Sequence, residues 1–415
     1  MHPFTLLFVG LLGVYTGIRL WLSLRQSYHV RANRNQVPSD FVTVISLEHH
    51  QKAADYTIAK GQIERIAVIW SVTILGWWTY GGGLTFLYAT VSALAFDTAT
   101  ATILLLIGWY LVRTVLALPL RLYRTFSIDA QFGFNRTTPL VFARDRLIGL
   151  LVAIGIGVPM IWVVVWLFTL TGSWWWVWAW AFVTLAQLLG MWLYPVVIAP
   201  LFNRFTPLVD GAFYQVARTL LDQTGFAQSK VFVMDASRRS ALANAYFTGF
   251  GRNKRVVFYD TLLEKLTPNQ AAAVLAHEIG HYTHRDILKI IAASTVMTLV
   301  GFAIMAWLIV QPWFLPALGI GARGLGPALL TCILIAPVFT FVFNPIQSAW
   351  SRAIEFAADA FAVQYTSADD MSGALIAIYR DNAGTLTPDS LYAAVYYSHP
   401  PASERIHHMR TVTPS

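Results

Sequence analysis

The sequence predicts an all-α, multi-pass membrane protein with a small α+β metal-binding domain on one side of the bilayer. Three observations predict it. The 415 residues are 56% hydrophobic and only 12% charged, about half the charged share of a soluble domain. Seven stretches, near 4–24, 64–85, 99–120, 147–170, 174–198, 288–311 and 326–348, are apolar and approach the roughly 20 residues that cross a bilayer. Finally, His277-Glu278-Ile279-Gly280-His281 sets two imidazoles four apart in a helix-forming run, so both can reach one metal ion.

The first stretch lacks a basic leader and a small-residue cleavage site, and Arg25, Arg31 and Arg34 follow it. It reads as a retained anchor. The loops at 25–63 and 121–146 and the segment 199–287 are rich in Lys and Arg, whereas 86–98 and 171–173 have none. The positive-inside rule puts the N-terminus outside and these loops, with the C-terminus, in the cytoplasm. The net charge of +8 is spread over such loops, so no nucleic-acid surface is expected. Gly81-Gly82-Gly83 reads as an outer turn, and Trp174-Trp175-Trp176-Val177-Trp178 as an interfacial belt. The single cysteine, Cys332, sits in an apolar stretch. It excludes an intramolecular disulfide and a thiolate cluster. A transporter with an incidental metal site would need more intramembrane charge and a pair of broken helices. Arg19 and Arg113 are expected near span ends.

Four regions follow. Residues 1–198 carry five spans. Residues 199–287 are the first half of the water-facing domain, 288–349 a transmembrane hairpin, and 350–415 the second half. The hairpin returns the chain to the side it left, so the two halves can meet.

The motif helix starts at Thr267-Pro268-Asn269-Gln270, a capping Thr, Pro at the first position and Gln at the third. Catalytic zinc commonly takes three protein ligands and keeps one position open. His277 and His281 supply two. The third candidate is Glu355, in the Ala-rich run 353–362. Asp359, four residues on, shares its face. Two carboxylates on an apolar helix are costly to bury without a cation. Zn2+ on Glu355, with Asp359 accepting the far N–H of a ligand His, removes that cost. Two His and one carboxylate suit zinc better than magnesium or calcium. Glu278 is then the general base for water attacking a carbonyl. His399 and Arg405 are candidates for stabilising the oxyanion. His284 and Asp286 lie close enough to the motif to stand behind a ligand, but a surface or interfacial place is favoured for both, and His407 and His408 are expected as exposed neighbours. Residues 244–248 and 255–259 read as two strands around 249–254. They form either an ordinary hairpin or an edge that holds a substrate strand.

At this point the chain resembles the integral-membrane zinc metalloproteases of the type I CAAX prenyl protease family. The resemblance rests on several blocks in order. They are Asp129 with Gly133-Phe134-Asn135, Pro200-Leu201-Phe202-Asn203 with Pro207-Leu208, Asn244-Ala245-Tyr246-Phe247, and the metal motif. Glu355 to Ala362, and Ser398-His399-Pro400 with Glu404-Arg405, complete the set. It implies seven transmembrane helices around a water-filled chamber, with the site near the cytoplasmic end. His277, His281 and Glu355 would hold one Zn2+ and Glu278 would be the base. Asp359 would orient a ligand His, Asn244 and Ala245 would line the substrate strand, and His399 and Arg405 would contact the carbonyl. The implied partners are the lipid bilayer and a peptide or protein substrate, prenylated or otherwise membrane-associated, cut near its C-terminus. A bacterial inner membrane is favoured over the endoplasmic reticulum. A quality-control protease without prenyl specificity is the alternative; seven spans rather than about four argue against the related bacterial heat-shock subfamily, though not against that role. One departure is Leu242, where relatives carry a polar residue.

Overall fold

The computed structural model describes residues 1–94, 97–248 and 255–412. Its first half is a set of long helices: α1 (Pro3–Ala32), α2 (Leu47–Trp78), α3 (Gly83–Ser92), α4 (Thr98–Tyr123), α5 (Pro139–Leu170) and α6 (Trp175–Leu193). α4 runs on as a π-helical turn through Asp129, and α6 does the same through Ile198. A short α7 (Ala199–Phe202) leads into the mixed domain. There lie β1 (Phe205–Pro207), α8 (Gly211–Gln223), β2 (Lys230–Met234), β3 (Ala245–Thr248), β4 (Arg255–Tyr259), α9 (Asp260–Leu263) and α10 (Pro268–Thr283). The chain returns to the membrane in α11 (Asp286–Ile309), α12 (Phe314–Ala317) and α13 (Leu325–Thr340). It ends in α14 (Asn344–Tyr365), α15 (Ala368–Asp381), α16 (Ser390–Tyr396) and α17 (Ala402–Thr411).

Among the described residues, six helices are long and apolar enough to cross a membrane, and six of the seven expected spans fall on them. The second expected span, 64–85, is divided. α2 ends at Trp78, Gly82 takes φ 78°, and α3 starts at Gly83. Only glycine enters that left-handed region without strain, so the glycine run ends the helix before the apolar stretch does. The most apolar windows of α5 and α11 are 6% and 0% buried by protein. Helices uncovered in this way need lipid around them, since their backbone polar groups are already satisfied internally.

Neighbouring helices follow one another around a ring. α1 packs on α2, α2 on the π-turn of α4, then α4 on α5, α5 on α6, α6 on α11, α11 on α13, and α13 back on α1, while α4 also packs directly on α13 across the circuit. A cavity of about 660 Å³ lies inside, between α1, α2, α4 and α13. α1 runs the full height. His2 at its start stacks on Trp313 at 4.9 Å. Near its other end Gln26 accepts from Asp389 N (2.7 Å) and Arg25 pairs with Asp389 (2.8 Å).

The sheet has the order β1-β2-β4-β3, with β1 and β3 antiparallel to their neighbours and β2 parallel to β4. Ala245 pairs with Phe258 and Thr248 with Arg255, which leaves β3 on the edge. The turn 249–254 lies outside the described residues. The sheet and α8 cover α10, whose residues Ala271 to Leu275 are all buried. Three sequence blocks meet around Arg239. Its guanidinium holds Asp145 bidentately (2.7 and 3.0 Å) and donates to Asn203 Oδ1 (3.0 Å). Its carbonyl accepts from Arg136 N and Thr137 Oγ1 (both 3.1 Å). This contact clamps the mixed domain to the membrane helices. Leu242, the departure noted above, packs with the cluster around Tyr56 and Phe134 and does not line the metal-site cavity.

Candidate metal centre

α10 begins with the expected reciprocal cap. Thr267 Oγ1 accepts from Gln270 N (3.3 Å) and Gln270 Oε1 accepts from Thr267 N (3.1 Å). The helix then carries His277 and His281 on one face. α14 supplies Glu355 opposite them. This helix is not separate from the seventh expected span. α13, a 3-10 turn at Phe341–Phe343 and α14 form one helical run from Leu325 to Tyr365. The last membrane helix therefore delivers Glu355 directly. α10 and α14 approach closely at Gly280. A Cβ there would lie 3.2 Å from Ala358 Cα and 3.2 Å from Phe361 Cβ.

The donor atoms converge. His277 Nε2 and His281 Nε2 are 3.2 Å apart. Glu355 Oε2 lies 3.4 Å from His277 Nε2, and Oε1 lies 3.5 Å from His281 Nε2. A tetrahedral zinc with arms of 2.0–2.1 Å has ligand–ligand edges of about 3.3–3.4 Å, so the three donors already have that spacing. Glu355 Oε2 is buried and makes no hydrogen bond. Two ring nitrogens facing each other and an orphaned buried carboxylate oxygen are what a cation would satisfy. Among the described residues, this is the group of three metal-ligating side chains that can share one ion.

Outer contacts fix the rings. His277 Nδ1 lies 2.9 Å from Asp359 Oδ1. Donation to this fully buried carboxylate leaves Nε2 as the ligand atom. Arg405 Nη2, 3.4 Å from the same Nδ1, is a second donor facing a donor and adds no bond there. Arg405 instead grips Asp359 through Nε (2.8 Å) and Nη2 (2.6 Å). Burial opposes charge on His277, but Asp359 and Glu355 outweigh it and lift the ring to about 9. His281 Nδ1 lies 3.2 Å from Asp286 Oδ2. This corrects the expectation for Asp286. It is buried against a ligand His and held by Lys289 Nζ at 3.0 Å. Arg285 takes φ 56° between the two helices and turns Asp286 back onto the motif. Five residues past His281, no regular helical periodicity would place it there. His284 is half-buried, its ring edge-on to Phe361. His407 is exposed as expected, whereas His408 packs on Phe356 at 4.8 Å.

The site opens onto two cavities. One, of about 420 Å³, is lined by Asn244, Ala245, Glu278, Tyr396, His399 and Arg405 among others. The second, of about 410 Å³, lies on the far side of Glu278 and reaches Trp350 and Ile290. Glu278 thus borders both. His399 Nε2 is 3.3 Å from Glu355 Oε1, with a mostly exposed ring. Arg405 keeps Nη1, 3.7 Å from Glu355 Oε2, at the cavity wall. Asn244 is exposed at the mouth of edge strand β3, with Ala245 buried beside it. Every site residue expected from the sequence therefore lies at or directly behind one centre.

Residues 207–413 match the Peptidase family M48, and residues 26–204 match the CAAX prenyl protease N-terminal region of five membrane helices. The chain is 31% identical to a CAAX prenyl protease 1 homolog of Arabidopsis thaliana, over 97% of both chains. It is 32% identical to CAAX prenyl protease 1 of Saccharomyces cerevisiae, over 71% of this chain and 68% of that one. The structure superposes on the crystal structure of S. mikatae Ste24p with a TM-score of 0.91, at 27% identity and 99% coverage of each chain.

Proposed function

The chain belongs to the CAAX prenyl protease family of membrane zinc metalloproteases, and within it we propose that it cuts lipid-anchored substrates near their C-terminus. The observation that supports this most directly is the convergence of His277, His281 and Glu355 on a cavity bordered by Glu278 and by edge strand β3. We assign one Zn2+ to those three residues. When bound, it supplies Lewis acidity for a substrate carbonyl and for attacking water. Glu278 accepts the proton from that water and passes it to the leaving amine. His399 and the Nη1 of Arg405 face the position where oxyanion charge develops, and donate to it. Asp359 and Asp286 hold the two imidazoles in their ligand tautomers. Asn244 and Ala245 open the edge of β3, where a substrate strand adds through its backbone. The bilayer presents the substrate, and the basic loops put the site at the cytoplasmic end.

The test is cleavage of a fluorescent farnesylated CAAX peptide by the detergent-purified protein, with Glu278→Gln as the blank. Cleavage that needs zinc and falls at least 100-fold in the variant is expected. Intact peptide after incubation with folded, zinc-loaded protein overturns the prenyl-protease assignment. Cleavage of an unprenylated membrane peptide in the same assay would then favour a quality-control role.

A further inference from the structure

The 660 Å³ cavity inside the helix ring carries three arginines, Arg19 on α1 and Arg113 and Arg121 on α4. They were expected at span ends or in loops. Arg19 lies sixteen residues into α1, and Arg113 fifteen into α4. Some arginines are neutralised at close range, such as Arg25 by Asp389, Arg239 by Asp145 and Arg405 by Asp359. These three, like Arg65 and Arg352, are not. Among the described residues, no carboxylate oxygen lies within 4.0 Å of their guanidinium nitrogens. Arg19 donates to Tyr15 Oη (2.6 Å) and lies over that ring, while Arg113 lies over Trp109. Both heads are thus held by aromatic surface, with donors left for a ligand. Glu64 on α2 accepts from Tyr392 Oη at 3.3 Å.

A chain of ring contacts links this cavity to the catalytic one. Tyr15, to which Arg19 donates, packs edge-on to Phe341 (5.2 Å), and Phe341 packs on Tyr396 (6.4 Å), which lines the 420 Å³ cavity with His399. A cavity of that volume is about 9 Å across, and three residues beyond a cut bond extend about 10 Å. Three residues beyond a cut bond therefore span that cavity as far as its Tyr396 wall, on the side where Tyr15 and Arg19 lie. Like charges inside low-dielectric walls focus their field on a mobile anion. Arg113 and Arg121 are two turns apart, about 12 Å, so they extend the field along α4 rather than close one clamp.

We propose that Arg19, supported by Arg113 and Arg121, recognises the free C-terminal carboxylate of the substrate and so sets how far from the chain end the cut falls. This rests on the peptidase reading above, and binding to an idle enzyme separates the two. The Glu278→Gln protein is titrated with one CAAX-type peptide in two forms, a free C-terminal carboxylate and a carboxamide. The carboxylate form is expected to bind about tenfold or more tightly, since one charge-assisted hydrogen bond is lost with the amide. Adding Arg19→Gln is expected to abolish that preference, and Arg19→Lys to keep part of it. In the active protein the same preference should appear in KM rather than kcat. Equal affinity for the two peptides overturns the proposal, whether or not the active enzyme cleaves either. So does a preference that survives Arg19→Gln and Arg113→Gln together. Equal peptide affinity with arginine-dependent retention of phosphatidylglycerol would assign the cavity to an anionic lipid instead, and also overturns it.

Discussion

Asp359→Asn tests how far the centre depends on residues behind the ligands. Asp359 is fully buried and accepts three bonds, from Arg405 Nε and Nη2 and from His277 Nδ1. Asn keeps the shape but loses the charge and turns one oxygen into a donor. If its amide oxygen stays toward His277, its NH2 group meets Arg405 Nε, and a 2.8 Å bond becomes a clash. If the amide flips, His277 Nδ1 loses its acceptor and the ligand tautomer is no longer fixed. Either way the buried guanidinium loses its nearest countercharge and keeps only Glu355, at 3.7 Å. Breaking one side of a buried pair costs about 3–5 kcal/mol. Losing the partner of a ligand His weakens metal binding by about 10–100-fold. The assay is zinc competition against a chelator, together with thermal unfolding with and without EDTA. Asp359→Asn should lower zinc affinity by at least tenfold and lower the Tm of the zinc-free protein as well. Zinc affinity within twofold of the parent and an unchanged Tm would refute the reasoning. They would mean that Arg405 and His277 find other partners at no cost.

Two further outcomes follow from the same geometry. Zinc and a proton compete for His277, whose ring titrates near 9 when the metal is absent. A raised pKa stabilises the metal-free fold fully below about 6.5, and that contribution disappears as pH rises through about 9. Zinc affinity has the opposite slope. It should increase about tenfold per unit between pH 7 and 9, and a flat profile in chelator competition would refute the coupling. Gly280→Ala adds a methyl 3.2 Å from Ala358 Cα and Phe361 Cβ. Overpacking there should cost about 1–3 kcal/mol and weaken zinc binding by spreading α10 from α14. An unchanged Tm and unchanged affinity would show that the helices yield freely.

Much of the centre was legible because it is local. Two imidazoles four apart, a capping box and an acidic pair on an Ala-rich run each fit within a few turns, where periodicity speaks directly. The spans were legible because lipid demands length and apolarity together. What escaped depended on breaks in periodicity or on tertiary depth. Asp286 reaches His281 only because Arg285 adopts a left-handed conformation, which the sequence does not announce in a non-glycine residue. The second span was drawn through Gly81-Gly82-Gly83 because hydropathy continued, although the glycines stop the helix. That Arg19, Arg113 and Arg121 share one cavity was not legible, because it depends on which helices pack together rather than on any one span.

The divided order of the protease domain also has a physical reading. His277 and Glu355 are 78 positions apart, with a membrane hairpin between them. Both are on helices continuous, or nearly so, with that hairpin. α10 is separated from α11 only by His284 and Arg285, and α13 runs straight into α14. The hairpin therefore acts as a rigid spacer that sets the register of α10 against α14. The small contact of Gly280 on Ala358, where a Cβ would lie 3.2 Å from Ala358 Cα, lets this pair approach closely. Only then do an imidazole from one helix and a carboxylate from the other come within one coordination sphere. The membrane segment is thus part of the metal site's geometry, beyond anchoring it. A lengthened α13 would rotate Glu355 by about 100° per inserted residue, away from His277 and His281.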